Sequence, residues 1–82
     1  MTPISTAAAL QMMADALDEP LATVTPDRRR DSMAGWDSMG ALALMAELDD
    51  RFGIQLTSEE SLAMTKVRDM LGYLRERGAL TD

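Results

Sequence analysis

Few residues in this chain are equipped for chemistry. Among 82 residues there is no histidine and no cysteine, and Lys66 is the one lysine. A catalytic serine needs a base and a group to orient that base, and the sequence sets neither beside any serine. Without Cys and His there is also no thiolate nucleophile, no disulfide framework and no zinc site of the usual type. Asp49 and Asp50 are adjacent, so on a helix they point in different directions and make a poor carboxylate pair. No calcium-loop or phosphate-loop spacing occurs. The expectation is a protein that is not an enzyme, with no catalytic residue and no metal. One hydroxyl stands out nonetheless. Ser38 lies in the run Gly35-Trp36-Asp37-Ser38-Met39-Gly40, behind an acid, where a long irregular stretch meets a helical pattern. A hydroxyl placed there is presented to another molecule rather than activated from within.

The pattern after Ser38 is the clearest in the chain. With about 100° per residue, Ala41, Leu44, Met45, Leu48 and Phe52 fall on one face. Glu47 and Asp50 fall opposite, and Gly53 is placed to stop the helix in a left-handed cap. Asp and Ser are favoured helix caps, so the Asp37-Ser38 pair by itself means little. Two neighbours raise its standing. Met39 points away from the apolar stripe, and Gly40 removes bulk beside Ser38 where a ligand or enzyme approaches. On the same wheel Met39, Leu42 and Ala46 lie at roughly 160°, 100° and 140° from Ala41. They form a second apolar strip bordered by Glu47 and Asp50, an expected docking surface with an acidic rim.

The remaining elements must hold this helix in place. Thr2 as cap and Pro3 at the first position start a helix. Leu10, Met13, Ala14 and Leu17 recur along it at helical spacing until Pro20 ends it. From Pro20 to Trp36 no period persists, and Thr25-Pro26-Asp27 marks a turn. A loop this long in so small a domain is functional or packed by its own side chains, for which Leu21, Val24, Met33 and Trp36 are available. Arg28, Arg29 and Arg30 read as an exposed basic patch. Ile54 and Leu56 anchor an extended link. Thr57 and Glu60 make a capping box before a short helix, and Thr65 caps a last one whose core face is Val67, Met70, Leu71 and Leu74. Gly78 closes that helix and the tail to Asp82 is expected to fray. The fold class is therefore all-α: a small bundle of three main helices (near 3–18, 38–52 and 66–77) plus a short one (58–63), with a long loop between the first two. Leu10, Leu17, Leu44, Leu48, Phe52, Val67, Leu71 and Leu74 should share its core.

Composition bounds the partners. The length fits a single domain over residues 1–82. A net charge of −6 argues against nucleic acid and anionic membranes. No apolar run reaches membrane length, so a cytoplasmic location without membrane insertion is expected. Eight methionines point first to an adaptable core and second to a surface that repacks.

The run Asp37-Ser38-Met39-Gly40, with Leu44, Glu47-Leu48 and Phe52-Gly53-Ile54 behind it, resembles the acyl carrier protein family, whose motif is Asp-Ser-Leu. The likeness extends over nearly the whole chain, through the long loop, the short third helix and the last helix opening at Thr65-Lys66-Val67. The Asp-Ser-Met-Gly form is also similar to the D-alanyl carriers of the same superfamily. This resemblance implies a discrete carrier in which Ser38, next to Asp37, is esterified with the phosphopantetheine arm of coenzyme A. The arm's thiol would hold an acyl or aminoacyl cargo as a thioester. The implied partners are a phosphopantetheinyl transferase, a ligase that loads the cargo, and synthase or transferase enzymes that receive it from a monomeric carrier. The rival is an unmodified helical interaction module, in which Ser38 serves only as a cap or accepts a phosphate.

Overall fold

A computed structural model describes residues 1–82 and contains four helices: α1 (Thr6–Leu17), α2 (Ser38–Phe52), α3 (Ser58–Ala63) and α4 (Val67–Glu76). Three are long and α3 is short, as the periodicity indicates. The start of α1 differs from expectation. Its cap is Ser5, whose hydroxyl accepts from the Ala8 N–H at 3.0 Å. Thr2 and Pro3 lie outside the helix because Ile4 is drawn to the other end of the chain. The Ile4 N–H donates to the Ala79 carbonyl, and the Thr81 N–H donates to the Ile4 carbonyl, both at 2.9 Å. Asp82 then accepts from the Thr6 N–H and hydroxyl at 2.8 Å. The tail is fastened rather than frayed, with Ala79 fully buried. At its far end α1 turns through Asp18, in left-handed conformation at φ 53°.

Twenty apolar side chains pack into one core. Leu17, Leu44, Leu48, Phe52, Val67, Leu71 and Leu74 are all in it, and Met45 packs on its edge. Leu10 is only partly buried, on the flank of a face centred on Ala9, Met13 and Leu17. Five of the eight methionines (Met12, Met13, Met33, Met64 and Met70) are buried, which makes core filling their main use. Gly53 ends α2 at φ 66°, its N–H returning to the Asp49 carbonyl at 2.9 Å. Ile54 and Leu56 are both buried and carry the chain to α3.

The long loop is ordered by what it touches. It contains two 3-10 turns, Leu21–Thr23 and Arg30–Ser32, and it buries Val24, Met33 and Trp36 while Leu21 stays exposed. Residues 26 to 30 run beside the junction of α3 and α4. The first N–H groups of a helix have no partner within it; here those of Val67 and Arg68 donate to the loop carbonyls of Arg28 (3.0 Å) and Pro26 (2.9 Å). Thr65 is accordingly not the cap of α4. Lys66 holds that position, and the Asp69 carboxylate reaches back to accept from the N–H groups of Thr65 (2.8 Å) and Lys66 (3.1 Å).

The Thr57/Glu60 capping box of α3 forms as expected, with Thr57 N–H to Glu60 at 2.9 Å and Glu60 N–H to Thr57 at 3.1 Å. These bonds lower two carboxyl pKa values: Glu60 chiefly through the Thr57 N–H, Asp69 chiefly through the Thr65 N–H. A carboxylate with a depressed folded-state pKa contributes stability above its unfolded value, and that stability is lost as pH falls through the folded value. The melting temperature should therefore drop as pH is lowered from about 5 to about 2.5. Asp69→Asn should melt lower at neutral pH and lose less on acidification. Thermal melts across that range check this, and an Asp69→Asn profile parallel to the wild type would show that the cap does not contribute.

Candidate functional site

Asp37 and Ser38 divide the roles at the start of α2. Asp37, extended at φ −97° and ψ −164°, is the cap. Its carboxylate accepts from the Gly40 N–H at 2.9 Å and its carbonyl from the Ala41 N–H at 2.9 Å. Ser38 is the first helical residue, exposed, and its hydroxyl forms no bond to the protein. The N–H groups of Ser38 and Met39 have no protein partner either. An exposed hydroxyl thus stands beside two free donors at the positive end of a 15-residue helix, a setting that favours an anion attached there.

Two clefts flank this point. One, of about 260 Å³, runs between α2 and α3 with Ser38 at its edge and Ala41, Leu42, Met45 and Leu62 along its apolar walls. The other, of about 370 Å³, lies between α1 and α2 beneath Asp37 and Met39. Met39 is 75% exposed and Leu42 60%. Ala46 is exposed as well, so the second strip on α2 faces solvent. Leu42 does not fold onto the loop. Glu47 borders the strip but is paired with Arg51 at 2.8 Å, one turn on. A residue missed by sequence reasoning extends the strip: Leu62 of α3, 75% exposed, faces Leu42 across the cleft. Periodicity did not mark it; in the structure Ser61 and Met64 turn inward and Leu62 is about 100° round from Ser61.

Gly40 has a different purpose from the one expected. It is buried, and a Cβ there would fall on the Gly35 carbonyl oxygen and within 2.9 Å of the Leu17 side chain. It opens no space beside Ser38; it lets α2 press against the loop and the end of α1. The arginine run also differs from a free basic patch. Arg28 donates to Ser32 and to the Thr23 carbonyl, and Arg29 pairs with Asp31 at 3.0 Å. Arg30 donates to the Ser61 carbonyl at 2.7 Å and lies 5.1 Å from the Trp36 ring centre. Each is committed to its own chain: Arg28 and Arg29 brace the loop internally, and Arg30 ties it to α3.

Comparison with known proteins decides what this arrangement belongs to. The family described as phosphopantetheine attachment site matches residues 7–74. Acyl carrier protein 3 of Ralstonia nicotianae is 30% identical over 76 residues, covering 85% of this chain and 85% of that protein. The acyl carrier protein of Rickettsia bellii is 27% identical over 67 residues, covering 82% of this chain and 78% of its own length. That of Syntrophus aciditrophicus is 23% identical over 73 residues, with 89% and 91% covered. The chain belongs to the acyl carrier protein family. It is a carrier, and its prosthetic group is phosphopantetheine. A phosphodiester needs an accessible hydroxyl and donors for its anionic oxygens; an exposed hydroxyl and two free N–H donors stand together at the start of α2.

The tight seat of α2 yields a test. In a helix interior Ala is favoured over Gly by about 1 kcal/mol, yet Gly40→Ala must displace backbone. Overpacking of this kind costs roughly 1–3 kcal/mol, so a net loss is expected in urea unfolding. A gain in stability would mean that propensity prevails and the contact yields.

Proposed function

We propose that Ser38 is the attachment residue of this carrier. Its oxygen takes the phosphopantetheinyl group of coenzyme A, losing its proton as an O–P bond forms and the bond to the adenosine bisphosphate leaving group breaks. The observation that carries this reading is the exposed, unbonded Ser38 hydroxyl beside two unpaired N–H groups. Asp37 assists by position: it occupies the next donors, those of Gly40 and Ala41, and fixes the helix start. The group supplies the thiol that the sequence lacks, and an acyl or aminoacyl cargo is held there as a thioester. Residues 1–82 act as a single carrier domain, monomeric and cytoplasmic, that catalyses nothing itself. Its partners are a phosphopantetheinyl transferase, a cargo-loading ligase and the synthase or transferase enzymes that collect the cargo. No helix is long and apolar enough to cross a membrane.

The partner face is Met39, Leu42 and Ala46, with Glu47 on its rim and Leu62 added from α3. Large apolar side chains standing in water at 60–75% exposure support this reading. Transient interfaces combine such a centre with a polar rim.

Incubation with coenzyme A, magnesium and a broad-specificity transferase should raise the intact mass by one phosphopantetheine. Ser38→Ala should abolish the gain and leave the helical spectrum unchanged, whereas Ser58→Ala, at the start of α3 and lining the same cleft, should be modified normally. Modification of Ser38→Ala would overturn the assignment. Met39→Glu tests the face. It should leave the melting temperature nearly unchanged and slow modification by roughly tenfold, equivalent to about 1.4 kcal/mol at a docking residue. Glu47→Lys should slow the same step in a salt-dependent way, since rim charges act through encounter rate. A destabilised Met39→Glu whose folded fraction reacts at the normal rate would assign Met39 to the core.

A further inference from the structure

The cleft beside Ser38 has a neighbour. A second space of about 350 Å³, of mixed lining with Trp36 and Met64 on its apolar side and Arg29, Asp31 and Thr65 on its polar side, adjoins it, and Arg30 and Leu62 line both. Arg30 is held firmly between them. Its backbone N–H donates to the Thr65 carbonyl at 2.8 Å, and its Nη1 donates to the Ser61 carbonyl at 2.7 Å and to that of Met64 at 3.5 Å. Its guanidinium lies over the Trp36 ring. A cation at the carbonyl end of α3 is favourable, and α3 has need of it. Six residues are too few to be helical alone, and Ser61 is the only one of them buried.

We propose that Arg30 is a specificity-determining residue. It is the partition between the two spaces and limits the Ser38 cleft to short acyl cargo. An arm on Ser38 that folds back along α2 meets Ala41, Leu42 and Met45 first. Beyond them it meets a charged group whose remaining N–H donors cannot be satisfied by an alkyl chain, and burying an unsatisfied polar group is costly. Longer chains therefore stop short of Trp36 and stay in water. Removing the guanidinium joins the two spaces into one groove floored by Trp36.

This inference rests on Ser38 as the attachment residue, and its test separates the two. Butyryl and decanoyl forms are prepared by transferase from the matching acyl-coenzyme A, with intact mass confirming that Ser38→Ala stays unloaded. Thioester cleavage by hydroxylamine and the emission of Trp36, the one tryptophan, are then measured. In the wild type, lengthening the chain from butyryl to decanoyl should add little protection and leave Trp36 emission unchanged. In Arg30→Ala the decanoyl form should become protected relative to butyryl by roughly fourfold or more, the equivalent of one buried methylene at about 0.8 kcal/mol. Its Trp36 emission should shift with chain length. Arg30→Met, which keeps an unbranched stem in place and removes the charged donors, should move the ratio in the same direction and serves where Arg30→Ala does not fold. Equal ratios in the wild type and in whichever of these variants folds overturn the partition. Failure to load the wild type overturns instead the assignment of Ser38.

Discussion

The position of Ser38 depends on three backbones being allowed to touch. At the end of α1 the Leu17 carbonyl meets Gly35, and the Gly35 carbonyl meets Gly40 in the first turn of α2; a Cβ at either glycine would overlap an oxygen. Glu19 fixes the same corner, its carboxylate accepting from the Gly35 N–H at 2.7 Å. Because this corner is close-packed, the first turn of α2 has little freedom, and the side chains at its outer edge inherit that precision. Rigid support beneath an exposed group holds it in one geometry. A hydroxyl on a frayed helix end would have no such definition.

The long loop completes the same logic from the other side. A 10-residue α4 with no side-chain acceptor at its cap would leave its first donors unpaired. The loop lends its own carbonyls to Val67 and Arg68, so the segment leading to Ser38 and the helix closing the core stabilise each other. α3 is suspended between these parts, joined to α4 through the Arg77–Glu60 pair at 2.9 Å and to the loop through Arg30. With so little of α3 buried, its place is set by polar contacts at its ends. Elements of that kind lie at the low end of local stability.

What was legible in the sequence was what local chemistry decides. The stripe of α2, the Gly53 cap, the Thr57/Glu60 box and the anchors Ile54 and Leu56 each follow from residues within one or two turns of each other. Ser38, exposed at the start of α2, was legible for the same reason. Several of the misread features depend on contacts between distant segments. Pro3 is a good first helical residue, but Ile4 is paired with the tail, more than seventy residues away. Gly40 read as open space because nothing in the sequence says that Gly35 lies against it. Three consecutive arginines read as a basic patch, although Arg28 and Arg29 are held locally by Thr23, Ser32 and Asp31; only the Ser61 and Met64 carbonyls that hold Arg30 lie far off in the chain. Leu62 was overlooked because a six-residue helix is too short to show which face is buried.

The net charge of −6 is spread unevenly over the protein. The positive side chains are largely used internally: Arg29 with Asp31, Arg51 with Glu47, Arg68 with Asp27, Arg77 with Glu60, and Arg28 and Arg30 on carbonyls. On the Asp37–Phe52 segment four acids (Asp37, Glu47, Asp49, Asp50) face one base (Arg51), a local balance of −3. Exposed ion pairs contribute little stability, about 0–1 kcal/mol each, and they leave the net charge unchanged. Glu47 is offset by Arg51, whereas Asp37, Asp49 and Asp50 have no basic partner, so the apolar strip lies beside net negative charge. A field of that sign attracts basic surfaces and turns away anionic ones over a range near the Debye length, whatever the internal pairing of the arginines.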